Sequence, residues 1–227
     1  MVVLPARSDG CPWVVGHRAN TRRWIRKHLR SGADGVEVDL YLDESGRLVI
    51  SHPPSRRRYP LLRERLASIL SGVHLTPGVS PGELAALLPR GAILWLDLKA
   101  RGTARILSTL PREVREWRPL VVSTRFHDEA REALREAPGA LVVLSLQSRP
   151  PSPALLAKQA GASGFTIEST YIDEGLVEEA RREGLIVAAW VVNDEHEAAR
   201  LARLGVDIII TDFPGMVKRV CRSALQG

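Results

Sequence analysis

Residues 35–52 read "GVEVDLYLDESGRLVISH". In an extended chain the side chains at i and i+2 share a face. Val36, Val38 and Leu40 then lie on one face, and Glu37 and Asp39 lie together on the other. Like charges set against an apolar core are costly unless a cation or a partner offsets them. Beyond the strand, Glu44-Ser45-Gly46 reads as a turn, and the chain comes back to His52. The stretch thus predicts a strand, its return, and a histidine carried back to a pair of carboxylates.

The same kind of apolar run recurs along the chain. Runs lie at Trp13–Gly16, Gly35–Leu40, Ile93–Leu98, Leu120–Ser123, Leu141–Leu146, Gly164–Ile167, Leu185–Val191 and Asp207–Thr211. Most are nearly continuous in Val, Ile and Leu, as expected of parallel strands covered by helices. Helical patterns fill the gaps. Thr21–Arg30 carries Trp24, Ile25, His28 and Leu29 on one side. Ser80-Pro81-Gly82-Glu83 is a capping box with Pro at the first helical position. Ser152-Pro153 and Asp173 open two later helices, and Ala198–Leu204 ends at Gly205. Eight strands alternating with helices predict a (β/α)8 TIM barrel formed by residues 1–227 as a single domain. An open doubly wound sheet is the competing arrangement. Pro53–Val79, rich in Pro, Gly and Arg, is too long for a standard loop and is expected as a short insertion after the second strand.

The chain's 227 residues, 44% of them hydrophobic, suffice for one core of this size. Cys11 and Cys221 lack metal-site spacing and read as free thiols, with a bridge between the chain ends as the alternative. No apolar run approaches the roughly 18 residues of a membrane span. The start, MVVLPARSDG, lacks the pattern of a secretory signal, so a cytoplasmic location is expected. Net charge is +6, with 28 arginines and four lysines, which favours anionic partners. No aromatic-rich motif accompanies it, so nucleic acid is not expected as a partner.

In a barrel of this kind, sites are built at the carboxyl ends of the strands. Those ends hold His17 and Arg18, Glu37 and Asp39, His52, and Asp97-Leu98-Lys99. Carboxylate oxygens suit a hard divalent cation such as Mg²⁺ or Ca²⁺. Two histidines can divide general-acid and general-base work, and arginine and lysine suit a phosphate.

These residues stand in a recognisable order. His17-Arg18-Ala19, Asn20-Thr21, Gly32-Ala33-Asp34, Glu37-Val38-Asp39 and His52-Pro53 follow one another. Asp97-Leu98-Lys99, Trp190-Val191-Val192-Asn193 and Gly205-Val206-Asp207-Ile208-Ile209-Ile210-Thr211-Asp212 come later. From about residue 13 to 215 the chain resembles the glycerophosphodiester phosphodiesterases. The resemblance implies that His17 and His52 are the acid/base pair and that Glu37, Asp39 and Asp97 bind one divalent cation. It also implies that Arg18 and Lys99 hold phosphate oxygens and that Trp190 lines the substrate pocket. The cation would be Mg²⁺ or Ca²⁺, with Mn²⁺ as an alternative, and Glu168 is a reserve ligand. Gly16-His17-Arg18-Ala19-Asn20 is also faintly similar to the Gly-His-x-x-Asn of the sphingomyelinase D toxins.

The chain departs from the family pattern at several points. The loop after His17-Arg18 is short and lacks the family's Gly and Glu. Pro53 stands where the family has Asp, Asp97 where it has Glu, and the insertion is about half the usual size. The expected activity is metal-dependent hydrolysis of small glycerophosphodiesters to an alcohol and glycerol phosphate. The alternatives are a phospholipase D-like enzyme acting on lysolipids or intact lipids, and a non-catalytic phosphate- or headgroup-binding barrel. Arg56-Arg57-Arg58 either forms a solvated run or attracts an anionic diester or an acidic lipid surface at the mouth.

Overall fold

Eight parallel strands close on themselves in the computed structural model, which describes residues 4, 7, 9–43, 45–52 and 78–226. The strands are β1 (Trp13–Gly16), β2 (Gly35–Leu42), β4 (Ile93–Leu98), β5 (Leu120–Thr124), β6 (Leu141–Leu146), β7 (Gly164–Glu168), β8 (Ile186–Trp190) and β9 (Ile208–Thr211). β1 pairs with both β2 and β9, so no parallel edge is left open. This is the (β/α)8 barrel that the alternation predicts, and the closure excludes the open sheet. β3 (Leu48–Ile50) runs antiparallel to the end of β2, pairing Leu40 with Ile50. The hairpin turns where Asp43 Oδ1 accepts from Ser45 N and Arg47 N, both at 2.9 Å. Residues 53–77, with Pro53 and Arg56–Arg58, lie outside the described residues.

The helices around the barrel are α1 (Arg22–Arg30), α2 (Pro81–Leu87), α3 (Arg112–Arg115), α4 (Ala130–Glu136), α5 (Pro153–Ala160), α6 (Glu174–Arg182), α7 (Glu195–Leu204) and α8 (Pro214–Gln226). Their starts follow the capping chemistry. Thr21, Ser152, Asp173 and Asp194 each accept from the backbone N–H three residues on. Glu83 accepts from Ser80 N at 2.8 Å and Ser80 Oγ at 2.9 Å. α7 starts earlier than Ala198, because the Asp194 cap sets its first turn. On α1, Ile25 and His28 are buried, while Trp24 and Leu29, expected on the same face, are only half-buried. Among the described residues no helix is long and apolar enough to cross a membrane.

Two apolar clusters hold the fold. The larger lies between the barrel's outer face and the helices. The smaller fills the barrel interior with Val15, Ile93, Trp95, Val121, Leu141, Val143, Ala188, Ile208 and Ile210. Burying a side chain of this size contributes about 1.5–3 kcal/mol. Cys11 and Cys221 are both buried as free thiols, and no bridge joins them. Gly35 permits a close strand approach: a Cβ there would lie 2.2 Å from the Ile93 carbonyl oxygen.

Candidate active site

Because side chains alternate, the inward residues of each strand can be followed from barrel floor to mouth. β4 carries Ile93, Trp95, Asp97; β5 carries Val121, Ser123; β6 carries Leu141, Val143, Ser145. The floor is apolar and the mouth polar, and the change occurs within two residues on each strand. A cavity of about 260 Å³ opens there. His17, Arg18, Glu37, His52, Asp97, Lys99 and Trp190 all line it. Asp39 lies just behind, fully buried.

Glu37, Asp39 and Asp97 each turn a carboxylate oxygen to a common point, all three within 4.8 Å of one another. The β2–β4 register sets Asp39 beside Asp97. Asn20 clamps Asp39 from both sides: its Nδ2 donates to Asp39 Oδ2 and its Oδ1 accepts from Asp39 N, both at 2.8 Å. Arg18 N donates to Glu37 Oε2 at 2.6 Å. That bond requires Arg18 at φ 48, a left-handed conformation costing about 1–3 kcal/mol for a residue with a side chain.

Lys99 reaches into the cluster, 2.7 Å from Asp39 Oδ1 and in contact with Asp97. Burial works against its charge, but Asp97, Asp39 and Glu37 outweigh burial and keep the ammonium protonated well above its usual range. Burial also opposes ionisation of Asp39, yet Lys99 brings its pKa down to about 2. Glu37 goes the other way: burial, then the neighbouring Asp39, push its pKa well above the usual carboxylate range. One ammonium therefore does not balance three carboxylates. Asp39 Oδ1 also lacks a well-directed hydrogen bond. An all-oxygen donor set with surplus negative charge and a converging geometry fits a divalent cation.

His17 occupies the next position. Its Nδ1 lies 2.9 Å from Asp212 Oδ1. Asn193 holds Asp212 in turn, donating from Nδ2 to Oδ2 at 2.7 Å and accepting from Asp212 N at 2.9 Å. Burial would raise the Asp212 carboxyl, but its bond to His17 holds it below its usual range. A carboxylate can only accept, so Nδ1 carries the proton and Nε2 keeps its lone pair. Behind the ring, His28 Nε2 donates to the His17 carbonyl at 3.0 Å. Gly16 makes room for His28, since a Cβ there would come within 2.4 Å of the ring.

The wall opposite the carboxylates is polar but uncharged. Ser145 and Thr166 are register partners across β6 and β7. Thr166 Oγ1 and Trp190 Nε1 are buried and have no hydrogen-bond partner. Both residues line the cavity. A buried polar atom left unpaired costs about 1–3 kcal/mol, which a ligand hydroxyl would relieve.

Every expected site residue but one lies here. The reserve ligand Glu168, at the end of β7, is neither in the carboxylate group nor on the cavity wall. Among the contributors to which the sequence alone assigns no role are Ser123, Asp212 and Asn193. Ser123 donates to Asp97 Oδ1 at 2.7 Å and accepts from Trp95 Nε1 at 2.8 Å, fixing the carboxylate. Asp212 and Asn193 fix His17. Their motif stretches were visible, but no spacing rule says which of their residues faces the mouth.

Residues 93–216 match the model of the glycerophosphoryl diester phosphodiesterase family. That stretch begins at β4 and excludes His17, Glu37, Asp39 and His52, whereas relatives align more widely. A glycerophosphodiester phosphodiesterase of Arabidopsis thaliana is 35% identical over 215 residues, covering 92% of this chain and 60% of its own length. One from Caldanaerobacter subterraneus is 22% identical, covering 88% of this chain and 94% of its own. Among solved structures, an Oleispira antarctica phosphodiesterase in complex with the product sn-glycerol-3-phosphate superposes with a TM-score of 0.73 at 21% identity, covering 96% of this chain and 98% of that one.

Proposed function

Because the chain belongs to the glycerophosphoryl diester phosphodiesterase family, we propose that it hydrolyses glycerophosphodiesters to an alcohol and glycerol phosphate. The observation that carries this reading is the pairing of an oriented base, His17 on Asp212, with the Glu37–Asp39–Asp97 cluster across one small cavity. A binding module needs no oriented base.

Glu37, Asp39 and Asp97 would hold one divalent cation, Mg²⁺ or Ca²⁺ with Mn²⁺ as an alternative, which when bound supplies Lewis-acid polarisation of a phosphoryl oxygen. Lys99 and Arg18 bind the other phosphate oxygens and offset charge as it develops. His17 Nε2, with its lone pair toward the cavity, takes the proton from the attacking oxygen, and Asp212 stabilises the resulting imidazolium. His52 gives a proton to the departing alcohol oxygen. Trp190 and Thr166 receive hydroxyls of the glycerol half. We assign the reaction to the whole chain as one domain, and to the cytoplasm, where two buried free thiols stay reduced.

The test is turnover of a panel of soluble glycerophosphodiesters and lysolipids with Mg²⁺, Mn²⁺ or Ca²⁺ and with EDTA. Turnover of the soluble diesters that EDTA abolishes is expected. His17→Ala and His52→Ala should each lose about 10²–10⁴-fold in kcat with the fold intact. No turnover of any diester with any cation would overturn the reading, and activity on lysolipids alone would move it to the phospholipase D-like alternative.

A further inference from the structure

α1 reads RRWIRKHLR and contains no acidic residue. Arg23, Arg26, Lys27 and Arg30 recur at i, i+3, i+4 and i+7, so they form one stripe, and all four are exposed. The buried Ile25 and His28 lie on the opposite face. Cations at this spacing repel by about 0.2–0.5 kcal/mol per pair.

Several surface arginines on other helices are paired with carboxylates: Arg112 with Glu116, Arg200 with Glu197, Arg219 with Glu195. On α1 only Arg22 has such a partner, Glu83. Among the described residues no carboxylate pairs with any cation of the stripe. Lys27 instead lies over the half-buried Trp24 ring, 4.0 Å from its centroid.

The stripe begins at the rim of the active-site mouth. Thr21, its cap, follows Asn20, which clamps Asp39. α8 packs against the far end of α1, where a Cβ on Gly215 would lie 3.1 Å from the Ser31 carbonyl oxygen. Two residues before Gly215 stands Phe213, 54% exposed and adjacent to Asp212 of the site. A cationic helical stripe flanked by a half-buried Trp and an exposed Phe is the pattern of a surface that lies on a bilayer: cations meet lipid phosphates and aromatic rings enter the headgroup layer.

We propose that α1, with Phe213, docks the protein on an anionic membrane surface. A glycerophosphodiester is a phospholipid stripped of its acyl chains, so docking would hold the mouth where the proposed substrates arise. A polyanionic nucleic acid would meet the same charges but gives Phe213 no apolar layer to enter.

The test is co-sedimentation with vesicles of phosphatidylcholine alone and of phosphatidylcholine with phosphatidylglycerol, at low and high salt. It reads no turnover, so it stands apart from the catalytic reading. The protein should bind the anionic vesicles and not the neutral ones. Replacing Arg23, Arg26, Lys27 and Arg30 by Ser should weaken binding by about 100-fold, a conservative value for four basic residues at an anionic surface. Arg26→Glu with Arg30→Glu should do the same and serves if the fourfold variant does not fold. Phe213→Ser should remove the binding that survives high salt. Equal binding to both vesicles, or unchanged binding in either charge variant or in Phe213→Ser, overturns the proposal. So does tighter binding to duplex DNA than to the anionic vesicles.

Discussion

Asp212 Oδ1 stands 2.9 Å from His17 Nδ1, although 195 residues separate the two in the chain. The bond determines which ring nitrogen carries the proton, and it motivates the first prediction. In Asp212→Asn the amide can donate to Nδ1, which moves the ring proton to Nε2 and removes the base. The shape of the site is preserved, so thermal stability should change little while kcat falls by about 10²–10⁴-fold across the pH range. Retention of more than half the rate in the folded variant would show that Asp212 does not set the tautomer.

Ser123 acts one step behind the carboxylates. Its hydroxyl holds Asp97 Oδ1, and Trp95 holds the hydroxyl. Groups that orient a ligand typically contribute 10–100-fold in metal affinity. Ser123→Ala should therefore weaken Mn²⁺ binding by about that factor, read by calorimetry. An unchanged dissociation constant would place Asp97 outside the coordination sphere.

Thr166→Val keeps shape and removes the unpaired hydroxyl. If that hydroxyl reads the glycerol half, KM for a glycerophosphodiester should rise about tenfold, the worth of one hydrogen bond. A chromogenic diester without hydroxyl groups should show no such change. A parallel rise for both substrates would mean a general distortion instead.

His28 introduces a pH dependence into stability. Burial is the largest influence on it and lowers its pKa, with the bond to the His17 carbonyl and the charge of Asp212 acting the other way. Its Nδ1 is buried without a partner. Above the unfolded pKa, about 6.5, the ring is neutral in both states. Below it the unfolded chain takes up a proton that the folded chain refuses, so stability falls as pH drops through this window. His28→Gln should remove that slope, and the difference in Tm between wild type and variant from pH 5 to 7.5 measures it free of Glu37. A constant difference across that range would exclude His28 as its source.

How far the chain could be read without its folded form differs from motif to motif. The i, i+2 spacing of Glu37 and Asp39 is local geometry, and it sets both carboxylates on one face of β2 whatever surrounds them. Alternating apolar runs and capped helices are likewise properties of short segments, which is why the barrel and its mouth residues were legible. Partnership is not local. Asp34, Asp207 and Asp212 all stand in recognisable stretches, yet they do unrelated work. Asp34 Oδ2 accepts from Val14 N, and Asp207 Oδ2 accepts from Val187 N, both at 2.8 Å and both at the amino ends of strands. Only Asp212, beyond the carboxyl end of β9, reaches His17. Closure of β9 onto β1 brings Thr211 level with Gly16 and so sets Asp212 beside His17. That register exists only once the sheet has closed, because a hydrogen bond across 195 residues depends on every strand between them being in place.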